Sequence, residues 1–409
     1  MQLTYGAIIR PQKKYIPRAY TLSKTEWKPN LVNTSKHIFM KNLIYLFVVL
    51  TFLACKETKS EKTASVPVVE TPKEWLVYEG ATESAKHIVL ISGDEEYRSE
   101  EALPQLAKIL SKHHGFKCTV LFAQDPNAPG VVNANYVKNI AGLEALDSAD
   151  MMVIFTRFRA LPDAQMQHFE KYLMAGKPVF GIRTATHAFN FGKEAVTNFA
   201  HFSNGYAGDE TAWADGFGRL ILGEKWQTHH GHHKHQSTRG VINEDYASHP
   251  IVSGIESGSI WGATDVYGVR LPLPEDSEPI VLGQVINRAG EYDENDIFFG
   301  MKPTDEEIAK ENNTGLRVDD VFMPIAWTKS YQIPGGKKGK AFTSTIGAST
   351  DMLNESVRRL WVNGVFWAMD ETVPNKANVA LVGEYDPSAY GFKTDEYWLD
   401  KNMEIISLQ

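Results

Sequence analysis

The sequence predicts a doubly wound α/β fold, flavodoxin-like in plan, with a mostly parallel sheet and helices on both faces. Three observations predict it. Apolar runs such as HIVLISG and MMVIFT are continuous rather than alternating, the pattern of strands buried on both faces. They alternate along the chain with amphipathic stretches of helical period. Several of them end on glycine or on small polar residues, as strands do at a ligand-binding sheet edge.

The elements follow in order. Residues 1–39 carry seven Lys or Arg against the single acid Glu26, and precede a start-like Met40, so they are read as a spurious N-terminal extension outside the fold. From Met40 the chain reads MKNLIYLFVVLTFLACKE, a basic Lys41 followed by an apolar run from Leu43 to Ala54. Spanning a bilayer takes about 20 apolar residues, so this shorter run is read as a signal peptide over 40–54 rather than an anchor helix. Residues 55–85 are charged and rich in Ser, Thr and Pro, with no periodicity, and are read as a flexible tether.

The domain is expected over 86–370. HIVLISG is its first strand. EEALPQLAKILSKHHG is a helix with Leu103, Leu106, Ala107 and Leu110 at helical spacing and Gly115 closing it. Strands FKCTVLF and MMVIFT, helix PDAQMQHFEKYLMAG and strand PVFGI follow. Residues 200–270 are irregular and are expected to form an elaborated loop region near the site. Later strands are expected at PIVLGQV, MPIAWT and KAFTSTIG. A last helix is expected with Leu353, Val357, Leu360, Trp361, Val365 and Ala368 on one face. Residues 371–409 form an aromatic-rich tail expected to pack on the domain.

Composition narrows the function. The net charge is −8, and because residues 1–39 are basic the remainder is more acidic still. Such a body lacks the clustered Lys and Arg that phosphate contacts need, so no nucleic-acid partner is expected. The two cysteines, Cys55 and Cys118, rule out a disulfide framework if Cys55 is modified, and Cys118 sits in an apolar strand as a small hydrophobe.

Three strand ends carry candidate chemistry, SGDEEYRSEE, GIRTATHAF and IGASTD, each offering backbone N–H groups at a turn into a helix. Substrate contacts are expected from Asp94, Glu95, Glu96 and Arg98 on the first, from Thr184, Thr186 and His187 on the second, and from Ser349 on the third. Arg98 and Arg183 suit bidentate contact with a carboxylate or a developing oxyanion. The densest signal is HHGHHKH, five histidines in residues 229–235. Near-neutral imidazoles act as acid or base, so His229, His230, His232 and His233 are catalytic candidates. An extended loop pairs His230 with His232 or His233 with His235 as metal ligands. Three features speak against a metal: Lys234 within the run, Gly231 loosening it, and no carboxylate before Glu244 and Asp245. No cofactor is therefore expected, with zinc or another divalent ion at the run as the alternative. Asp265, in GATDVYGV, can accept Nδ1–H from a histidine and fix its tautomer; an Asx turn is the plainer alternative. Trp226, with Trp213 and Trp261, flanks the region and offers ring faces to a sugar, although most aromatics at this density are core.

Two resemblances follow from these residues. Leu53-Ala54-Cys55 resembles a bacterial lipoprotein's lipobox, which implies lipidation of Cys55, attachment to the membrane through that lipid alone, and a periplasmic or outer-membrane location. The strand–elbow–helix of KPVFGIRTATHAF resembles the class I glutamine amidotransferase-like fold, whose elbow residue is a nucleophilic cysteine. That position is Arg183 here, so amidotransferase activity is not implied. The chain is similar to the trehalose-utilisation (ThuA-like) family through VLISGDEEYRSEEALPQLAKIL, VFGIRTATHAF, LGEKWQTHHGHHK and MPIAWTKSY with GKAFTSTIGASTDMLNESVRRLWVNGVFWA. The similarity runs from Lys86 to Met369. Other branches place histidines at the elbow and after the final-strand glycine, where this chain has Arg183 and Ala348. The resemblance implies a small carbohydrate substrate such as a keto-glycoside, cleaved or isomerised by a histidine base with Arg183 holding an enolate oxygen. A non-catalytic carbohydrate-binding lipoprotein and a metal-dependent hydrolase are the other readings the same residues allow.

Overall fold

The computed structural model describes residues 72–274 and 276–409. The segments read as an extension and a signal peptide, and Cys55, lie outside the described residues. No helix among the described residues is long and apolar enough to cross a membrane.

The chain begins with β1 (Trp75–Tyr78), then β2 (His87–Gly93), α1 (Ser99–His114) and β3 (Lys117–Phe122). After β4 (Met151–Thr156), α2 (Asp163–Met174) and β5 (Val179–Ile182), a 3-10 turn over Arg183–His187 forms the elbow. Next come α3 (Gly216–Leu222), β6 (Thr228–His229), β7 (Gln236–Ile242), β8 (Ile260–Gly262) and β9 (Tyr267–Gly268). The sheet is completed by β10 (Glu278–Asn287), β11 (Met323–Tyr331) and β12 (Gly339–Ser344), followed by α4 (Glu355–Ala368) and α5 (Asp395–Lys401).

Ten strands form one sheet in the order β1-β3-β2-β4-β5-β12-β11-β10-β7-β8, with β6 and β9 paired separately. The centre, β3-β2-β4-β5-β12, is parallel, as the continuous apolar runs predict. One core packs α1 and α4 on one face, through Leu103, Leu106, Trp361 and Val365. The other packs α2 and α3 on the opposite face, through Met166, Phe169 and Ile221. Helices on both faces make the sheet doubly wound. The chain leaves β2 toward β3 on one side and returns to β4 on the other. The switch point therefore lies between β2 and β4, where the carboxyl ends of neighbouring strands open a crevice.

The structure corrects four expectations. Order begins before residue 86, because WLVY forms β1, an antiparallel edge strand on β3, inside the segment read as tether. Four residues are too few to show a period, which hid the strand. The strands β11 and β10 continue the sheet antiparallel rather than parallel. The loop from β11 to β12 is a short turn through Gly335, at φ 76°, and no crossover helix fits in it. Residues 200–270 hold α3 and four strands, two of which, β7 and β8, extend the sheet. The last helix starts at Glu355, since the Asn354 side chain caps it by accepting from Val357 N, and Leu353 lies in the 3-10 turn before it. The tail packs on the domain, with Trp398 and Ile405 in the first core.

Candidate functional site

The site is built around Asp265, in the segment between β8 and β9, whose side chain is buried. Its Oδ2 lies 2.8 Å from His229 Nδ1, and its Oδ1 lies 3.0 Å from His233 Nδ1. Oδ1 also accepts from Arg183 Nη2 at 3.0 Å. Burial alone would raise this carboxyl, but the Arg183 charge and the two imidazole bonds outweigh it and hold it far below the usual range. An ionised carboxylate only accepts, so both histidines must present Nδ1–H to it. Each then carries its lone pair, or a second proton, on Nε2.

The loop that brings them there is anchored rather than extended. The N–H groups of His230 and Gly231 both donate to Val266 O, at 2.8 and 3.0 Å. His235 and Gln236 turn back onto His232 O, with Lys234 at φ 63°. The turn sets His229 and His233 on one side, four residues apart, instead of the H-x-H pairs expected of an extended loop. His230 is buried away from the site, its carbonyl bonded to Asn312 Nδ2. His232 stacks on His235 at 4.1 Å, and His235 on Tyr292. Gly231 does not loosen the loop: it lets the backbone lie on Asp265, whose Cβ would stand 3.3 Å from an added Cβ.

Glu96, after β2, closes the cluster. Its Oε1 is 3.4 Å from His233 Nε2, and burial with the Asp94 carboxylate pushes it up to about 7, against Arg157 and Arg183. At 3.4 Å, Glu96 is close enough to exchange a proton with His233 Nε2. Burial holds His233 below the ordinary imidazole value, against the pull of Asp265. Side-chain exposure is 37% for His229 and 26% for His233, so both reach solvent while Asp265 does not.

Arg183 does a different job from the one expected. It stands at the elbow with φ 42°, its guanidinium carbon 4.1 Å from the ring centroids of both Tyr97 and Tyr267. Nη1 donates to Asp265 O and Thr345 O, and Nη2 to the Tyr97 hydroxyl and Asp265 Oδ1. Its remaining N–H, on Nε, is buried without a partner. No solvent-facing donor is left for a substrate oxyanion, and two of the four bonds made by the terminal nitrogens go to Asp265. Arg98 is likewise committed, donating to Glu95 O and Gly391 O and pairing with the buried Glu100.

The other expected contacts divide the same way. Asp94 accepts from Glu96 N, Tyr97 N and the Thr184 hydroxyl, tying the β2 loop to the elbow. Glu95 is taken by Arg157 and Arg159. Thr186 bonds Arg183 O, and Ser349 bonds Ser388 O of the tail, so neither side chain points to the histidines as its main partner. His187 is buried and held well below the imidazole range, by burial first and then by Arg157 and Arg183. Its ring lies 5.6 Å from that of Trp226, which lies 5.6 Å from His229, so these two line the site. Trp213 and Trp261 are core. Sequence reading missed Tyr97, Tyr267, Arg157 and Tyr390, whose ring lies 5.4 Å from that of His233. Tyr97 was visible within the first strand end, and Arg157 directly follows β4, a fourth strand end that was not considered.

His229, His233 and Asp265 can also offer one ligand atom each, all within 4.8 Å of one another, the one such group found among the described residues. The grounds against a metal weaken: Asp265 and Glu96 supply carboxylates, and Lys234 Nζ turns away onto Phe299 at 5.1 Å.

The family model ThuA, described as trehalose utilisation, matches residues 87–368. No curated protein matches. Among solved structures the chain is similar to a ThuA-like protein of Parabacteroides merdae, at 13% identity and TM-score 0.39, covering 76% of this chain and 99% of that one. It is similar to one of Bacteroides uniformis at 12% and 0.39, covering 71% and 95%. A cytoplasmic protein of Salmonella typhimurium follows at 12% and 0.34, covering 69% and 98%.

Proposed function

The chain belongs to the ThuA, trehalose-utilisation family, and on that premise we propose that the Asp265 cluster is an acid–base centre acting on a carbohydrate carbonyl, with a keto-glycoside as the substrate class. One observation carries the proposal: two imidazoles share one buried, ionised carboxylate through Nδ1, which leaves Nε2 of each for chemistry, that of His233 facing Glu96. Asp265 fixes the tautomer and stabilises the imidazolium that forms, as the carboxylate of a catalytic triad does.

His229, whose ring is the more exposed, takes a proton from the carbon next to the carbonyl on Nε2, leaving the electron pair as an enolate. Glu96, protonated below about 7 and linked to His233, returns a proton. Return to the departing glycosidic oxygen gives cleavage; return to the former carbonyl carbon, with the hydroxyl proton of the deprotonated carbon passing to the enolate oxygen, gives isomerisation. Trp226 and His187 form the aromatic wall beside the base. The protein is proposed to work in the cell envelope, held there by a lipid on Cys55.

The test is turnover of a panel of keto-disaccharides by the wild type and single Gln variants. His229→Gln and His233→Gln should each lose most activity, and His232→Gln little. Binding without turnover by the wild type favours a carbohydrate-binding protein instead. A second reading follows from the same three residues as ligands for a zinc-like ion. The first reading is favoured because each Nδ1 is at hydrogen-bond distance from a different Asp265 oxygen, at 2.8 and 3.0 Å. Stoichiometric metal in protein purified without an affinity tag, with chelator-reversible loss of activity, replaces the first reading by the second.

A further inference from the structure

Four arginines crowd the carboxyl edge of the sheet, and they differ in one respect. The side chains of Arg98, Arg159 and Arg183 are 1%, 0% and 0% exposed. Arg157 is 21% exposed and lies at the switch point, immediately after β4. Its Nη1 is held by Glu95 and its Nε lies 3.8 Å from Glu96 Oε2, while Nη2 has no partner among the described residues. The guanidinium is also clamped from both sides, 4.7 Å from the Phe158 ring centroid and 4.8 Å from that of Phe392. Phe158 holds this place at φ 48°, a costly conformation for an aromatic residue, kept by Phe158 N–H donating to His187 O.

Phe392 comes from outside the matched family region, which ends at residue 368. The tail is fastened to the rim of the site: Gly391 N donates to Glu96 O at 2.7 Å, and Gly391 O accepts from Arg98. Next to that anchor Phe392 is 58% exposed, a large apolar ring left open beside a charged crevice.

We propose that Arg157 and Phe392 form the ligand-recognition edge of the site, Arg157 Nη2 donating to an oxygen of full or developing negative charge on a sugar ring whose apolar face stacks on Phe392. A preorganised guanidinium with one free edge loses little entropy on binding such an oxygen. Arg157 thus takes the contact that Arg98 and Arg183 cannot make, and the tail makes recognition a property of this chain. The inference rests on the acid–base reading for its sugar class, but it is tested by binding alone.

The probes are D-glucuronate, which carries the full charge and no acidic carbon next to a ketone, D-glucose as the neutral control, and a 3-keto-glucoside, whose oxygen gains charge only during reaction. Calorimetric titration of the wild type should show glucuronate binding about tenfold tighter than glucose. Arg157→Gln should abolish that preference while leaving glucose unchanged, and Phe392→Ala should weaken both sugars about three- to tenfold. Arg157→Lys keeps the charge against Glu95 if the Gln variant does not fold, and should retain only part of the preference. If glucuronate shows no preference but Arg157→Gln lowers kcat on the keto-glucoside without raising KM, the oxygen is that of the reacting carbonyl. A preference that survives Arg157→Gln, or that is undiminished in Arg157→Lys where only that variant folds, together with unchanged kcat overturns the Arg157 assignment, and undiminished binding in Phe392→Ala overturns the platform. Loss of turnover in His229→Gln with glucuronate binding intact separates the fate of this inference from that of the catalytic reading.

Discussion

Replacing Asp265 by Asn changes two atoms' chemistry and almost no volume, so its consequences can be worked from three bonds. In the wild type Oδ1 receives Arg183 Nη2 and His233 Nδ1, and Oδ2 receives His229 Nδ1. An amide has one acceptor oxygen and one NH2. Placing the NH2 at the Oδ1 position sets it against a buried guanidinium, so the oxygen stays there and the NH2 faces His229. His229 must then accept through Nδ1, which moves its proton to Nε2 and removes the lone pair that serves as base. Loss of the correct tautomer in a triad costs about 10⁴-fold in kcat, and a loss of about 10³- to 10⁴-fold is expected here. Arg183 also loses its buried counter-charge, for which about 3–5 kcal/mol is an upper bound because the amide oxygen still accepts. Turnover on the keto-disaccharide that the wild type accepts best, urea denaturation and imidazole ¹⁵N shifts read the three quantities. Asp265→Asn with turnover within about threefold of the wild type, and a lone pair still on His229 Nε2, would refute the reasoning.

Three further outcomes are expected. Glu96 has a folded pKa of about 7, above the unfolded carboxyl's value of about 4.3, so the folded state keeps its proton longer. Its contribution to stability is present below about pH 4 and is lost as the pH rises to about 7. Glu96→Gln should flatten part of that fall in a pH series of melts, only part because the buried Glu100 and Asp351 carboxyls are raised as well. The same variant should remove the alkaline limb of the activity profile. Arg183→Ala should lower stability by about 3–5 kcal/mol in urea, since it strips a buried charge pair; an unchanged melt with reduced ligand affinity would return Arg183 to substrate binding. Cys55→Ala should shift the protein from detergent-extracted membranes to the soluble envelope fraction or leave it unprocessed, and a wild-type protein already soluble without detergent would refute lipidation.

The central sheet was legible because buried parallel strands announce themselves as unbroken apolar runs, and every such run became a strand. The antiparallel half was harder to read, since β7 and β8 lie in a stretch whose glycines and histidines break any period. Within the site, the types of residue were legible and their pairing was not. Asp265 was expected to accept from one imidazole, and it lies within hydrogen-bond distance of two. The extended-loop assumption paired histidines two apart, whereas the His232 carbonyl accepts two N–H groups, tightens the loop into a turn and pairs residues four apart. Tail residues Tyr390 and Phe392 sit in a segment without periodicity. Their place beside the site depends on Gly391 reaching Glu96 across the fold, a contact that no local pattern encodes.

The elbow shows how one geometry serves a different end. A sharp strand-to-helix turn holds its first residue in a strained backbone, at a cost of about 1–3 kcal/mol; the resemblance to the amidotransferase fold implies that such strain exposes a nucleophile. Here the residue at φ 42° is Arg183, and its side chain is wholly enclosed by Tyr97 and Tyr267. The strain therefore aims a guanidinium at Asp265 rather than a reactive atom at solvent. A buried cation fixed on both faces keeps that carboxylate ionised with two imidazoles bonded to it. The two imidazoles come from a loop that is itself tied down by Val266 O. Mobility at the elbow would be transmitted to both histidines at once, through the single carboxylate they share, which is why one buried arginine can govern a site it does not face.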